Sequence, residues 1–451
     1  MAGGTWLSQN KILPGVYINT KSKGNLAISV GPKGIVAICK PLSFGPTGVV
    51  SEYIPGDDPT AIIGSNLLSD EALFLREMCK GSDTTPAPSK ILIYRPEGTS
   101  GVAATATVGA LTATAKYIGA RGNDITLVIV ADPDNAGYYN IITTVDGDVV
   151  DDQYVNDLDD LDDNAWVDFT GTGTTITATA GTALTGGVDP TVSATDYAAF
   201  MTAVEPYTFD IVCYDGGNAT IAAAHAAFAK RLSETTGRKC QAVVSNDSGA
   251  NSEWAINVVN GVNLADGTAI TAAQATWWLA GAEAGAPYNK SLTYAQYPGA
   301  VSANPKKTTA EIEAAVTGGN IVFIDEFETV KVCTDINTLT TFTADKGQEY
   351  SKNRVMRVLM QVCNDIYKQF SLYFIGKVDN NDTGRSLMKG WIVGYLNEMQ
   401  ANNGIQNFSA DDVTVEQGNA IDSVLVTIAI QPVDSIEKIY ITVTVSVTAE
   451  N

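Results

Sequence analysis

Phe209-Asp-Ile-Val-Cys-Tyr214 reads as a strand, and the stretch from Ile221 to Glu234 that follows it reads as a helix. Cys240-Gln-Ala-Val-Val244 is the next strand and Ala255-Ile-Asn-Val-Val259 another. Helices are predicted over Thr271–Ala284 and Ala310–Val316, then a strand over Ile321-Val-Phe-Ile324, and a helix over Asp196–Glu205 precedes the whole series. Strands alternating with helices build an α/β layer on a parallel or mixed sheet. Lys90-Ile-Leu-Ile-Tyr-Arg95, bounded by Pro88-Ser89 and Pro96, is a further apolar strand. If it belongs to the same sheet, everything between it and Thr191 is an insertion in a loop.

Composition supports that reading. From Gly98 to Pro190 the chain is rich in Thr, Ala, Gly, Val and Asp; its 14 aspartates face only Lys116 and Arg121, a net of −12. Ile125-Thr-Leu-Val-Ile-Val130 is a strand run, and Thr175-Ile-Thr-Ala-Thr179 alternates apolar and polar side chains, so a β-rich acidic insertion is expected. Seven of its aspartates fall between Asp151 and Asp163. They lack the spacing and the glycine of a calcium loop, so a solvated acidic helix or loop is the expectation.

Outward from the core, residues 1–22 are short, polar and punctuated by Pro14-Gly15, the pattern of an arm. Residues 23–97 carry short strands and a helix over Asp70–Lys80. After Asp345 the pattern changes to long helices. Tyr350–Phe370 carries Val355, Leu359, Val362, Ile366 and Phe370 at spacings of three and four, one apolar stripe. A second helix is expected over Asp382–Gln400, then strands over Val413–Val415, Ser423–Ile430 and Ile436–Thr448. The fold class is therefore multidomain α+β with an α/β core. The parts are an arm (1–22), the core (23–97 and 191–344), the insertion (98–190), a C-terminal domain (345–435) and a final strand and arm (436–451).

Several function classes are excluded or weakened. The net charge of −22 opposes direct nucleic-acid binding, which needs a cationic face. No polybasic membrane anchor is present, and no window reaches the roughly 18–20 apolar residues of a membrane span. The start, Met1-Ala-Gly-Gly-Thr-Trp6, lacks the two regions of a secretory signal, so synthesis in a cytoplasm is expected, with any exit by a route such as lysis. Six dispersed cysteines, Cys39, Cys79, Cys213, Cys240, Cys333 and Cys363, read as small buried apolar residues of a reduced compartment. No clustered Cys/His set offers a metal site. The one histidine, His225, lies in an alanine-rich helix, with no Gly-x-Ser-x-Gly and no phosphate-loop motif elsewhere. Asp325 and Glu326 could in principle serve as acid and base, without a recognisable partner. No catalytic residue, cofactor or metal is assigned.

The chain ends are the most informative part. In Ile439-Tyr-Ile-Thr-Val-Thr-Val-Ser-Val447 every second residue is apolar, with no charge, proline or glycine. Such a strand, roughly 30 Å long, is an aggregation hazard if exposed. It is either an internal strand of the last domain or a strand traded with another copy. Residues 345–400 carry eight bases and six acids, a mildly basic segment in an acidic chain. That is either a solvated face or one that meets an acidic partner.

Scattered stretches resemble the sheath proteins of contractile tails from phages and prophages of Gram-positive bacteria, and R-type bacteriocin sheaths. They are Lys11-Ile-Leu-Pro-Gly-Val-Tyr-Ile-Asn19, Gly34-Ile-Val-Ala37 with Phe44-Gly-Pro46, Ala282–Tyr294 with Tyr297-Pro-Gly-Ala-Val301, Asn364-Asp-Ile366, Gly376–Arg385, Asp412–Gly418 and Pro432–Val443. Together they cover most of the chain outside the insertion, a position that in this family is similar to a variable surface domain. The resemblance implies a subunit stacked in rings, typically sixfold, around a tail tube. It also implies partners in the tube protein, baseplate and tail terminator, and a location in a virion tail or extracellular contractile particle assembled in a bacterial cytoplasm. It places Val16, Tyr17 and Ile18 in the N-terminal arm strand and Ile439, Ile441, Val443 and Val445 in the C-terminal augmenting strand, all at subunit interfaces. Arg354, Arg357 and Lys368 become candidates for the tube-facing helix. The competing readings are another phage structural protein, such as a tube or capsid subunit, and an α/β enzyme. A third reading is a carbohydrate-binding module in the insertion, which is compatible with a sheath role.

Overall fold

Ile35–Cys39 is an inner strand of the core sheet. This five-residue strand is buried on both faces: Ile35, Ala37 and Cys39 pack to one side, Val36 and Ile38 to the other. Apolar runs without alternation suit a parallel strand covered by helices on both sides. A computed structural model describes residues 34–445 apart from Ser248, and near the start two short parallel strands, Gly3–Gly4 and Val16–Tyr17. Ile18 and the end of the last predicted strand, residues 446–448, lie outside the described residues.

The central sheet has seven strands, in the order Asn320–Ile321, Ala255–Val258, Gln241–Ser245, Ile211–Cys213, Ile35–Cys39, Lys90–Tyr94, Val50–Tyr53. All neighbours are parallel except the edge strand Val50–Tyr53, which runs antiparallel to Lys90–Tyr94. Eight helices occur among the described residues: α1 (Thr60–Ile63), α2 (Leu73–Met78), α3 (Ala194–Val204), α4 (Ala219–Arg231), α5 (Ala272–Gly285), α6 (Thr309–Thr317), α7 (Asn353–Tyr373) and α8 (Asp382–Ala401). Helices α2 and α5 cover one face of the sheet; α3, α4 and the start of α7 cover the other.

Helix α5 is apolar nearly all round, which fits an element enclosed on every side. Trp278 stacks on Tyr297 at 4.4 Å, and both meet Phe323 edge-on. Gly281 lets Met78 approach so closely that an added Cβ would lie 2.0 Å from the Met78 carbonyl oxygen.

The insertion leaves and returns side by side. Thr99 and Thr191 exchange both backbone hydrogen bonds, at 3.0 and 2.9 Å. Between them two antiparallel sheets face one another: Val167–Thr170, Leu111–Ala115 and Thr105–Val108 on one side, and Asp148–Val155, Tyr139–Val145, Ile125–Ala131 and Thr179–Ala183 on the other. Alternate residues such as Leu111, Ala113, Ile125, Leu127 and Ile129 fill the interior. Two expectations shift here. Of Thr175–Thr179 only the last residue enters a strand, since Ile176 turns into the core before pairing begins. Asp151 and Asp152 belong to a strand rather than to a helix or loop, and the neighbouring acids hold backbone: Asp157 accepts from the Asp159 N–H and Asp163 from the Phe169 N–H.

The insertion is bolted to the core. Phe44, from the loop after Ile35–Cys39, stacks on Trp166 at 4.8 Å and meets Tyr117 edge-on at 5.1 Å. Arg95 is buried and has no carboxylate in ion-pair contact among the described residues. It donates to the carbonyls of Leu42 and Gly45 in the core and of Ile118 in the insertion. Burial pushes its guanidinium down to about 10.

Helix α7 is divided between two neighbours. Met356 and Met360 face the central sheet, while Val358 and Val362, with Ile366 and Phe370 at the margin, pack on Ile392, Tyr395, Leu396 and Met399 of α8. The single predicted stripe thus serves two cores, and the helix starts at Asn353 rather than Tyr350 because Gln348–Ser351 forms a tight 3-10 turn.

Candidate assembly surface

After α8 the chain pairs Gln431–Pro432 with Ile405–Gln406, and the Val433 N–H donates to the Gly404 carbonyl at 3.0 Å. Beyond this the predicted Ile436–Thr448 strand has no ladder partner among the described residues. Ile439, Ile441, Val443 and Val445 are 75–83% exposed, and Tyr440, on the opposite side, is 91% exposed. The segment's apolar row faces water on its own subunit, a costly arrangement without a covering surface.

A complementary deficiency lies nearby in sequence. Val413–Gln417 and Val424–Ile428 form a two-stranded antiparallel hairpin, and neither outer edge has a ladder partner among the described residues. Isolated two-stranded ribbons are marginal in water. Here the Val413 end packs on α8, while Leu425 and Ile421 remain exposed.

The three basic residues expected on the tube-facing helix have different environments. Arg357 is a correction. It is 4% exposed and sits between Glu283 of α5 and Asp335, donating to both carboxylates and, at 2.7 Å, to the Lys290 carbonyl. Its charge is consumed inside the chain, so it faces no partner's surface. Asn353 completes the cluster by donating to Glu283 and Asp335. Burial, and then the adjacent Asp335, push the Glu283 carboxyl well above its ordinary range. Burial alone would raise Asp335 too, but the Arg357 guanidinium and a hydrogen bond from Glu283 hold it below its usual value. The two carboxyls are thus pushed in opposite directions, Glu283 toward its neutral form and Asp335 toward its charged one.

Arg354 is half-buried, lowered by burial and offset by Asp434. Lys368 is partly exposed, and the later turns of α7, the turn after it and the first turns of α8 carry the exposed apolar residues Tyr367, Leu372, Tyr373, Ile375 and Leu387.

The α/β core places no recognisable reaction centre at its usual location. Ligands of such sheets bind where the strand order reverses, here between the C-terminal ends of Ile35–Cys39 and Ile211–Cys213. That position holds Lys40 paired with Asp215 at 2.6 Å. The Trp277 indole donates to the same carboxylate at 2.8 Å, and the ammonium lies 4.7 Å from the Trp277 ring. His225 is fully buried, with Nδ1 bonded to the Ile221 carbonyl, stacked on Tyr214, and pushed by burial down to about 4. Asp325 accepts from the Ala303 N–H and pairs with Lys306. The cysteines are free: Cys39, Cys213 and Cys240 are buried, Cys79 and Cys333 half-buried, and Cys363 is exposed, contrary to expectation, because it lies on the outer side of α7. Among the described residues no cluster of three or more His, Cys, Asp or Glu could hold a metal ion, and no helix is long and apolar enough to cross a membrane.

Comparison with known proteins gives the arrangement its context. Three phage tail sheath models match consecutive parts of the chain: the β-sandwich domain at residues 99–189, the central domain at 191–338 and the C-terminal domain at 345–446. The chain belongs to the phage tail sheath family. Phage-like element PBSX protein XkdK of Bacillus subtilis is 33% identical over 99% of this sheath chain and 100% of its own length. The crystal structure of a sheath tail protein from Desulfitobacterium hafniense is 41% identical, with a TM-score of 0.85 over 96% of this chain and 100% of that one. The contracted helical sheath of the anti-feeding prophage shares the fold at 12% identity, with a TM-score of 0.57 over 96% of this chain and 99% of that one.

The β-rich insertion and the mixed multidomain fold agree with the sequence reading, and the sheath resemblance is confirmed. Sequence reasoning missed Glu283 and Asp335 as the partners of Arg357. Their positions, 74 and 22 residues before it, give no local pattern.

Proposed function

We propose that this sheath subunit polymerises by strand exchange around a tail tube, and that the polymer contracts to drive the tube through a cell envelope. The unpaired 436–445 segment carries the reading. An extended strand without a partner and a hairpin with open edges solve each other's problem when they come from different copies. Val16, Tyr17 and Ile18 would supply the N-terminal counterpart. Exchange along a non-closing axis makes a helical array. Two arrangements of one connected lattice allow a stored extended state to relax to a shorter one. The role is structural rather than catalytic and needs no cofactor.

In this reading the rings are hexameric, the C-terminal domain faces the tube, and Lys368 and Arg354 are its cationic candidates. The baseplate and a tail terminator bind the two ends, and the particle is a virion tail or an extracellular contractile device assembled in a bacterial cytoplasm. Negative-stain electron microscopy of the protein co-expressed with its tube protein tests it: striated hollow cylinders are expected from the full chain. Deletion of residues 436–451 should leave a folded, soluble subunit that forms none. Normal cylinders from that deletion would sink the exchange mechanism.

A further inference from the structure

The root of the C-terminal arm is held at one side chain. The Glu437 side chain is 12% exposed, whereas the side chains of residues 439–445 are open to solvent. The Thr293 hydroxyl donates to its Oε1 at 2.7 Å, and the Lys352 ammonium pairs with its Oε2. The two partners come from different parts of the molecule. Thr293 follows α5 in the core, and Lys352 immediately precedes α7. The Thr293 oxygen also accepts the Asp335 N–H at 2.9 Å, and Asp335 is fixed by Arg357 and by the Leu292 N–H. The hold on the arm is thus anchored in the buried ion cluster.

We infer that Glu437 is a positioning residue for strand exchange: its clip on Thr293 and Lys352 fixes where the arm leaves the subunit and in which direction. The inference rests on the reading of residues 436–445 as an exchanged arm. Among the described residues the chain has no sheet pairing between Val433 and Glu437, so without the clip the last backbone hydrogen bond to the body is that of the Val433 N–H and the tether grows by four residues. A tethered strand finds a neighbour's edge at an effective concentration set by the length and direction of its tether. A fixed root raises that concentration at one place and lowers it everywhere else, including at the wrong copy. Because the clip spans the core and the start of α7, a shift between those parts would open it and let the arm swing.

Lys438, exposed and next to the clip, makes the test direct. Trypsin cuts after Lys438 only when the flanking residues can leave the surface. Limited proteolysis of the full unassembled chain is compared for wild type, Thr293→Val, Lys352→Met and Thr293→Ser, none of which alters residues 437–439. Cleavage after Lys438 should rise about tenfold in Thr293→Val and Lys352→Met, while cleavage after the exposed Lys377 stays constant; local opening controls such rates. Thr293→Ser keeps the hydroxyl and should match wild type. Assembly yield with the tube protein should fall in the first two variants and recover in the third. Equal cleavage after Lys438 in all four proteins, or a parallel rise after Lys377, would overturn the clip. The ratio of the two cleavages decides the clip whether or not particles form, and failure of the wild type to form particles bears on the sheath reading alone.

Discussion

Replacing Arg357 with methionine separates a buried structural role from a surface one. The guanidinium is 4% exposed and satisfies Glu283, Asp335 and the Lys290 carbonyl. Methionine keeps much of the volume but removes the guanidinium's bonds to both enclosed carboxyls and to the carbonyl, leaving the carboxyls with the Asn353 and Leu292 donors. Removing one partner of a buried ion pair costs about 3–5 kcal/mol, since the other charge is stranded. The carboxyls can escape part of that cost by taking up protons, so the loss should be smaller at pH 5 than at pH 8. Urea unfolding of unassembled protein, followed by tryptophan fluorescence, measures it. Arg354→Met, at a half-buried position whose charge is offset by Asp434, serves as the comparison and should cost about 1 kcal/mol or less. If Arg357→Met unfolded within about 1 kcal/mol of wild type at pH 8, the buried-cluster account would fail. A defect confined to tube binding would return Arg357 to the surface role first expected of it.

Further outcomes follow from the ion cluster and from other parts of the fold. The folded state holds the Glu283 proton that the unfolded chain releases above about pH 4.3, so this group's contribution falls as pH rises through its raised range. Glu283→Gln should flatten that slope in unfolding curves. Asp335 has the opposite sign: its contribution is present above about pH 3.9 and is lost as pH drops through its lowered value. Gly281→Ala should destabilise by about 1–3 kcal/mol or more, because α2 must retreat from the new methyl. Gly390→Ala, on open space in α8, should stabilise by about 0.5–1 kcal/mol in the same denaturation assay. Deleting residues 101–189 and joining the paired ends with a short turn should leave the central sheet folded, as judged by circular dichroism, provided Phe44, then stripped of Trp166 and Tyr117, is made polar.

The sequence carried those parts of the fold that depend on local periodicity and on composition. The helices around His225 and Leu359 and the strands around Val212 and Leu92 are each announced by their own residues. The acidic insertion is set apart by its lack of bases. What stayed hidden depends on distant pairs. Nothing near Arg357 or Arg95 says that one will meet two carboxylates and the other three carbonyls, since both outcomes arise only when separate elements pack. The arm was legible as a strand but not as an unpaired one, because period-two alternation describes a strand and not its neighbour.

The joint around Phe44 has a mechanical consequence. With Phe44 stacked on Trp166, Arg95 reaching the Ile118 carbonyl, and Arg121 reaching back to the Gly64 carbonyl, the insertion has no slack joint of its own. It behaves as an outrigger welded to the hull. Any rotation of the core is therefore passed to the sandwich without lag, and the displacement grows with distance from the pivot. The four-stranded sheet and its fringe of aspartates, with both bases of the domain held in ion pairs, make the insertion a net-negative body that repels its like.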